Sequence, residues 1–301
     1  MRTWLRRIGI GLAALVGIVV LAAAGVYVAG GRKLQHSFAV TPRPPAEPSA
    51  ADSALVARGR HLATAIGKCA ACHGDDFGGQ VMIDDPALGR AVAANLTPGR
   101  GGRPADWGMA DWDRAIRHGV RRDGTGLIVM PADDFAAMSD GDLVALVAFL
   151  RQLPSVDREL PPTQLRLVGR ALFVADKLPL IPAARIDHSA PPAEPVPGPT
   201  AEYGRYLVRI GGCTGCHGPT LAGGPTGEPG APPAANLTPT GIGHYTEADF
   251  FRALREGKRP DGSPIADFMP VRFTKLMSDD ETRAIFAYLK TVEPRPTGAR
   301  E

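Results

Sequence analysis

Aromatic residues are scarce in this 301-residue chain, at 6%, while Gly (36) and Pro (29) together exceed a fifth of it. That balance excludes large aromatic-filled cores and predicts much loop around small ones. Charge is thin as well: the formal net value is +3, part of it from arginines beside one apolar segment, and there is no basic stripe with interleaved aromatics. Nucleic-acid binding has no footing here. The alternation that marks βαβ units is missing, and so is any segment that would act as an attached output domain. Cysteine is rare. There are four, and two copies of one short motif contain them all, so no thiol is left over.

The copies are Cys69-Ala70-Ala71-Cys72-His73 and Cys213-Thr214-Gly215-Cys216-His217, 144 residues apart. Two Cys-x-x-Cys pairs can form a zinc site, but such sites put about 15 to 20 residues between the pairs, and this gap is far wider. Thioredoxin-like redox pairs would leave each following His unexplained and need the missing βαβ pattern. Covalent attachment of c-type haem uses all three residues: the sulfurs bond the haem periphery and the His gives an imidazole nitrogen to the iron. The motifs thus predict two covalently bound haem c groups on Cys69, Cys72, Cys213 and Cys216, with His73 and His217 as axial ligands. A haem in each half supplies an apolar body that short helices cannot.

The two halves stay in step beyond the motifs. Asn95-Leu96-Thr97-Pro98 matches Asn236-Leu237-Thr238-Pro239 at an offset of 141, Arg117-His118-Gly119 matches Arg255-Glu256-Gly257 at 138, and Met130-Pro131 matches Met269-Pro270 at 139. Such drift is what loop insertions and deletions produce in a duplicated domain. Before each motif, Gly59-Arg60-His61-Leu62 answers to Gly204-Arg205-Tyr206-Leu207. Each half ends in a helix whose start carries Ser139 with Asp142, or Ser278 with Glu281, a hydroxyl cap and a carboxylate three residues on. These last helices are expected to pack on the helix before the haem motif, with Gly59 or Gly204 allowing close approach beneath Phe149 or Tyr288.

The chain therefore divides into residues 1–31, a cytoplasmic stub and membrane anchor; 32–52, a Pro-rich tether; 53–153 and 201–294, the haem domains; 154–200, a linker; and 295–301, a tail. From Ile8 to Gly31 there is no charge, which is long enough to span a membrane, and Arg2, Arg6 and Arg7 precede it against Arg32 and Lys33 after it. A cleaved signal ending near Ala22-Ala23-Ala24 is the rival reading, and either one exports the chain. In the linker, Leu165, Val168, Ala171, Leu172 and Ala175 recur with helical period opposite Arg166, Arg170 and Lys177. That basic amphipathic helix is expected to pack on its own domain, with a membrane surface or a partner as the alternative.

Of seven methionines, two pairs fall at matching positions. Met138 and Met277 immediately precede the capped helices and read as packing residues. Met130 and Met269 lie in loops before Pro, where a thioether can be aimed at an iron while Pro fixes the chain direction. The whole pattern resembles the class I c-type cytochromes, and more closely membrane-anchored di-haem proteins and the cytochrome c subunits of bacterial membrane-bound alcohol and sugar-acid dehydrogenases. The resemblance rests on the Cys-x-x-Cys-His, Asn-Leu-Thr-Pro and Met-Pro elements of both halves, with Gly241-Ile242-Gly243. It implies a mainly α fold of two tandem class I cytochrome c domains with long loops and an N-terminal transmembrane helix, and axial pairs His73 with Met130 and His217 with Met269. Those dehydrogenase subunits usually carry three haem motifs; this chain has two.

Arg117, Arg255, Trp107 and Tyr245 are matched donors that are candidates for the haem propionates, with solvent-facing roles as the alternative. His61 reads as a helix residue near the ring, with displacement of Met as the rival; His36, His118, His188 and His244 read as solvated or hydrogen-bonding residues. A His/Met ligand set leaves no open site, so the expectation is an electron-transfer protein rather than an enzyme: a periplasmic di-haem relay on the bacterial inner membrane. Its expected partners are a dehydrogenase or quinol-oxidising complex on one side and a terminal oxidase or soluble cytochrome on the other. The alternative is a di-haem peroxidase or sulfur-compound dehydrogenase with one labile ligand. The paired Met-Pro motifs and the lack of spare cysteine count against it.

Overall fold

The computed structural model describes residues 2–49, 52–226 and 230–301, so residues 50 and 51 of the expected tether lie outside it. Its helices, in chain order, are α1 (Arg2–Leu34), α2 (Ser53–His61), α3 (Cys69–His73), α4 (Met109–Ile116), α5 (Ala132–Phe135), α6 (Asp140–Arg151), α7 (Leu167–Val174), α8 (Ala201–Ile210), α9 (Cys213–His217), α10 (Pro239–Ile242), α11 (Glu247–Glu256), α12 (Val271–Thr274) and α13 (Asp279–Thr291). A short antiparallel sheet, β1 (Gln80–Asp85), β2 (Gly89–Ala93) and β3 (Gln164–Leu165), joins the first repeat to the linker.

Each repeat is built on one crossed pair of helices, α2 with α6 and α8 with α13. The crossings sit at glycine. A Cβ on Gly59 would stand 1.9 Å from the Ala145 carbonyl oxygen and 2.8 Å from the Phe149 Cβ; on Gly204 it would stand 1.9 Å from the Ala284 oxygen. Only a residue without a side chain lets these backbones meet. The expected partner Phe149 is there, and at Gly204 the nearest atoms are backbone atoms of Ala284 and Ile285. Between α2 and α3 one wide turn over Leu62–Ile66, all but Thr64 buried, turns the chain toward the haem motif.

The buried side chains of both repeats form a single core, from Leu62 and Ile66 through Leu143 and Phe149 to Leu207, Ile210 and Leu289. The repeats thus meet on apolar surface, with α12 lying against Leu62–Ile66 and α5 against α8. The strands were not expected in loop-rich sequence. Val81 and Ile83 face solvent, so alternation there gives no buried stripe, and the Asp85 side chain makes the turn by accepting from the Ala87 and Leu88 amides at 2.7 Å.

Chain read as linker and tail is bonded back onto the repeats. The Val156 carbonyl accepts from the Asn95 amide at 2.7 Å, and the Arg295 carbonyl accepts from Asn236 at 2.8 Å, the same contact in both halves. Gly298 N–H donates to the Ala222 carbonyl at 3.0 Å. The amphipathic linker helix is shorter than its pattern, since Leu165 belongs to β3. It packs between α1 and the first repeat, burying Phe173 with Val120 and Ile181.

Candidate functional site

Each haem motif is a five-residue helix with matched ends. Lys68 (φ 51) and Gly212 (φ 62) stand in the left-handed region before α3 and α9, and Gly74 (φ 81) and Gly218 (φ 80) follow them. A lysine is uncommon in that conformation, and here its ammonium donates to the carbonyls of Ile66, at 3.0 Å, and Gly211. Helical spacing puts the first Cys and the His, four residues apart, on one face. Burial pushes the Cys69 thiol up to about 12 and raises that of Cys213, which is the opposite of the activated thiolate a redox pair requires.

The His73 Nδ1–H donates to the Ala94 carbonyl at 2.7 Å, and the His217 Nδ1–H to the Ala235 carbonyl at 2.8 Å. A carbonyl only accepts, so in both rings the proton sits on Nδ1 and the lone pair on Nε2. Burial lowers both imidazole pKa values, with the carbonyl bond opposing it, which favours the neutral ligand form. The accepting carbonyls are aimed by the Asn-Leu-Thr-Pro segments. Asn95 Oδ1 accepts from the Thr97 amide at 2.9 Å and hydroxyl at 2.8 Å, and Asn236 holds Thr238 at 2.9 and 2.7 Å. Ala94 and Ala235 act through backbone alone, so no side chain marked them in the sequence.

The Met-Pro pairs also share one geometry. The Ala132 N–H donates to the Met130 carbonyl at 2.8 Å, and the Val271 N–H to the Met269 carbonyl at 2.7 Å. Pro131 (φ −79, ψ 58) and Pro270 (φ −78, ψ 60) are the centres of two inverse γ-turns, a conformation that proline's ring favours. Val129, just before Met130, has φ 70, a strained value for a β-branched residue. Both thioether residues are partly buried against the common core, whereas Met138 and Met277 lie within it, as packing residues do.

The matched donors are already partly engaged. Arg117 donates Nε–H to Asp113 at 2.6 Å and Nη1–H to Asp140 at 2.7 Å, tying α4 to the start of α6; Arg255 binds Asp279 at the start of α13. Arg117 Nη2, Arg255 Nε and the Trp112 indole N–H remain buried without a partner. Buried donors left unpaired are costly, so these call for acceptors, and the two propionates of a haem are acceptors of that kind. Arg103 Nε and Arg252 Nε are likewise buried without a partner, and Trp112, which the sequence does not single out, meets Trp107 edge-on at 4.9 Å, as Tyr245 meets His244. His61 is not free: its Nε2 lies 2.7 Å from Glu281 Oε2 of the other repeat. The His118 and His188 Nδ1 atoms are 3.0 Å apart.

The comparisons agree with this architecture. The family model for cytochrome C oxidase, cbb3-type, subunit III matches residues 54–150, and that for cytochrome c matches residues 201–293. The fructose dehydrogenase cytochrome subunit of Gluconobacter japonicus is 30% identical over 81% of this chain and 54% of its own. The alcohol dehydrogenase (quinone) cytochrome c subunit of Komagataeibacter europaeus is 31% identical over 82% of this chain and 58% of its own. A diheme cytochrome c-type protein of Cereibacter sphaeroides is 30% identical over 75% of this chain and 82% of its own. This chain spans a little over half the length of the dehydrogenase subunits. Fold and sites define a pair of tandem cytochrome c domains. The chain belongs to the di-haem c-type cytochromes.

Proposed function

We propose that this protein relays single electrons on the periplasmic face of a bacterial inner membrane, from a dehydrogenase or quinol-oxidising complex to a terminal oxidase or soluble cytochrome. The observation that carries the reading is the duplicated His-to-carbonyl bond, His73 to Ala94 and His217 to Ala235, which orients two imidazoles identically with Nε2 bare. Bound haem c supplies one-electron exchange between ferrous and ferric iron. The sulfurs of Cys69, Cys72, Cys213 and Cys216 would hold the two groups, and His73 with Met130 and His217 with Met269 would supply their iron ligands. His/Met ligation raises the reduction potential and leaves no coordination position for a substrate. Trp112, Arg117 and Arg255 supply donors for propionates.

Helix α1 is an apolar stretch long enough to cross a membrane, and a signal sequence meets the same description. We read it as the retained anchor, with the haem domains outside the cytoplasm, because Arg2, Arg6 and Arg7 favour an inner N-terminus. The names of the relatives, cytochrome subunits of fructose and alcohol dehydrogenases, support a dehydrogenase as the electron source. Replacing Met130 or Met269 by Ala tests the ligand sets. Each variant should lose half of the absorption band due to Met ligation and admit carbon monoxide at one reduced haem, while the native protein admits none. Carbon monoxide binding by the native protein would point to a haem enzyme instead.

A further inference from the structure

We infer that the first repeat has a second membrane contact, in which Leu167 and Val168 of α7, with Leu88 of the adjoining β1–β2 turn, sit in the phospholipid surface where α1 leaves the bilayer. The inference rests on reading α1 as a retained span. Counted from Ile8, the roughly 20 apolar residues that cross a hydrocarbon layer of about 30 Å end at Tyr27. Residues 3–22 are exposed all round; the first covered positions are Ala23, Val26 and Gly30, which share one helix face.

Helix α7 is fixed at that level. The Arg170 guanidinium lies over the Tyr27 ring at 4.1 Å and donates to the Tyr27 carbonyl at 3.1 Å, and a Cβ on Gly30 would come within 3.2 Å of the Arg170 side chain. Lys33 donates to the Phe173 carbonyl at 2.8 Å and pairs with Asp176. Tyr with Arg and Lys marks the boundary between hydrocarbon and headgroups. The inner face of α7 is filled by Phe173 and by Gly169, against which the Leu88 carbonyl presses so closely that a Cβ would meet it at 2.0 Å.

The outer positions of α7 are about half open to solvent. Leu167 is 47% exposed, Val168 48% and Leu88 37%, and the Arg166 N–H binds the Leu88 carbonyl at 3.0 Å, which holds the β1–β2 turn beside the start of α7. Arg166 also braces this turn, its guanidinium donating to the Asp85 carbonyl at 2.8 Å and lying 3.6 Å from Asp84. Apolar side chains on a short basic helix at headgroup depth are what an interfacial helix presents. Continuity with the lipid-facing side of α1 favours lipid over a protein partner.

Nitroxide labels on the full-length holoprotein test this in vesicles of phosphatidylethanolamine and phosphatidylglycerol, with the haems reduced. The native cysteines are held by haem, so Val168→Cys, Leu88→Cys, Ile18→Cys and Leu276→Cys each offer one thiol. The expected result is relaxation by oxygen and loss of relaxation by a water-soluble nickel chelate at 168 and 88, as at 18, with the reverse at the aqueous control 276. Chelate access at 168 and 88 together with lipid exposure at 18 overturns the inference and leaves the anchor standing. Shielding of 168 from both agents shows a protein contact and also overturns it. Chelate access at 18 with lipid exposure at 168 removes the anchor alone.

Discussion

The Tyr206 hydroxyl of the second repeat donates to Asp142 Oδ2 of the first at 2.7 Å, and the repeat-related pair, His61 with Glu281, closes at the same distance from the other side. Both carboxylates stand in the first turn of a last helix. In α13 Glu281 completes the expected reciprocal cap, accepting from the Ser278 N–H at 2.9 Å. In α6 Asp142 turns away from Ser139, and the Tyr206 hydroxyl takes over by accepting the Ser139 N–H at 3.1 Å. Arg58 joins the two ends, reaching Asp142 and Glu281 at 3.0 Å each and Tyr203 at 3.1 Å. Tyr203 is its repeat counterpart, and two arginines facing each other there would repel. The duplicated domains are thus locked through each other's helix caps.

Among the described residues Arg58 is the one cation that reaches both carboxylates, whose side chains are only 12% and 5% exposed. Arg58→Ala should lower stability by about 3 kcal/mol, the cost of leaving buried charge without its partner. Urea unfolding of the holoprotein measures it. Combining it with Glu281→Gln should recover part of the loss, because the charge left stranded is then gone; strict additivity would show that Arg58 and Glu281 are not coupled.

Acid should open the same lock. Burial alone would raise the Glu281 pKa, but the bonds from His61, the Ser278 N–H and Arg58 outweigh it and hold the carboxyl at about 2, against 4.5 for the ordinary group. A folded value below the unfolded one means that the stabilisation is complete above pH 4.5 and disappears as the pH falls toward 2. Up to about 3 kcal/mol should be lost across that window. Glu281→Gln should be less stable at neutral pH and show a flatter slope over the same range. An unchanged slope would place the acid sensitivity in other carboxylates.

Much of this was legible in sequence because side-chain identity carried it: Cys and His at fixed spacing, Ser caps, and Gly59 and Gly204 at the crossings. What escaped was carried by backbone or by the meeting of distant residues. Ala94 and Ala235 orient the two imidazoles through carbonyls, which any residue has. The β1–β2 hairpin has Val81 and Ile83 facing solvent, so its pattern marks no core, and its third strand lies in apparent linker. Aligning His61 with Tyr206 showed that the repeats differ there, but not that each reaches for a carboxylate in the other. The ion pairs by which Arg117 and Arg255 tie helices together, to Asp140 and Asp279, likewise join residues too far apart in sequence to be paired by pattern.

The glycine crossings can be tested against an internal control. Gly59→Ala and Gly204→Ala each force a Cβ against a backbone oxygen now 1.9 Å from its position, so a helix must shift, at about 3 kcal/mol or more. Gly141 lies in α6 with nothing within 4 Å of an added Cβ, and Gly141→Ala should stabilise by about 0.5 to 1 kcal/mol. Thermal midpoints of the three variants check the contrast. Equal effects at all three would mean that helix propensity, and not close packing, governs these sites.

Asn95 offers a way to tune one haem through a residue that is not one of its ligands. Its side chain holds Thr97 and Val156 and so keeps the Ala94 carbonyl on His73 Nδ1. With His73 as the proposed iron ligand, that bond would make the imidazole a stronger donor, which stabilises ferric iron and lowers the potential. Asn95→Ala should loosen the carbonyl and raise the potential of the first haem by about 20 to 60 mV, the one-electron equivalent of a hydrogen bond worth about 0.5 to 1.5 kcal/mol. Asn236→Ala should do the same to the second haem, through the Ala235 carbonyl and His217. Because each substitution leaves the other repeat's clamp intact, redox titration of the pair separates an effect on the ligand from general loosening. A potential that stays put while stability falls would show that Asn95 braces the loop without reaching the imidazole.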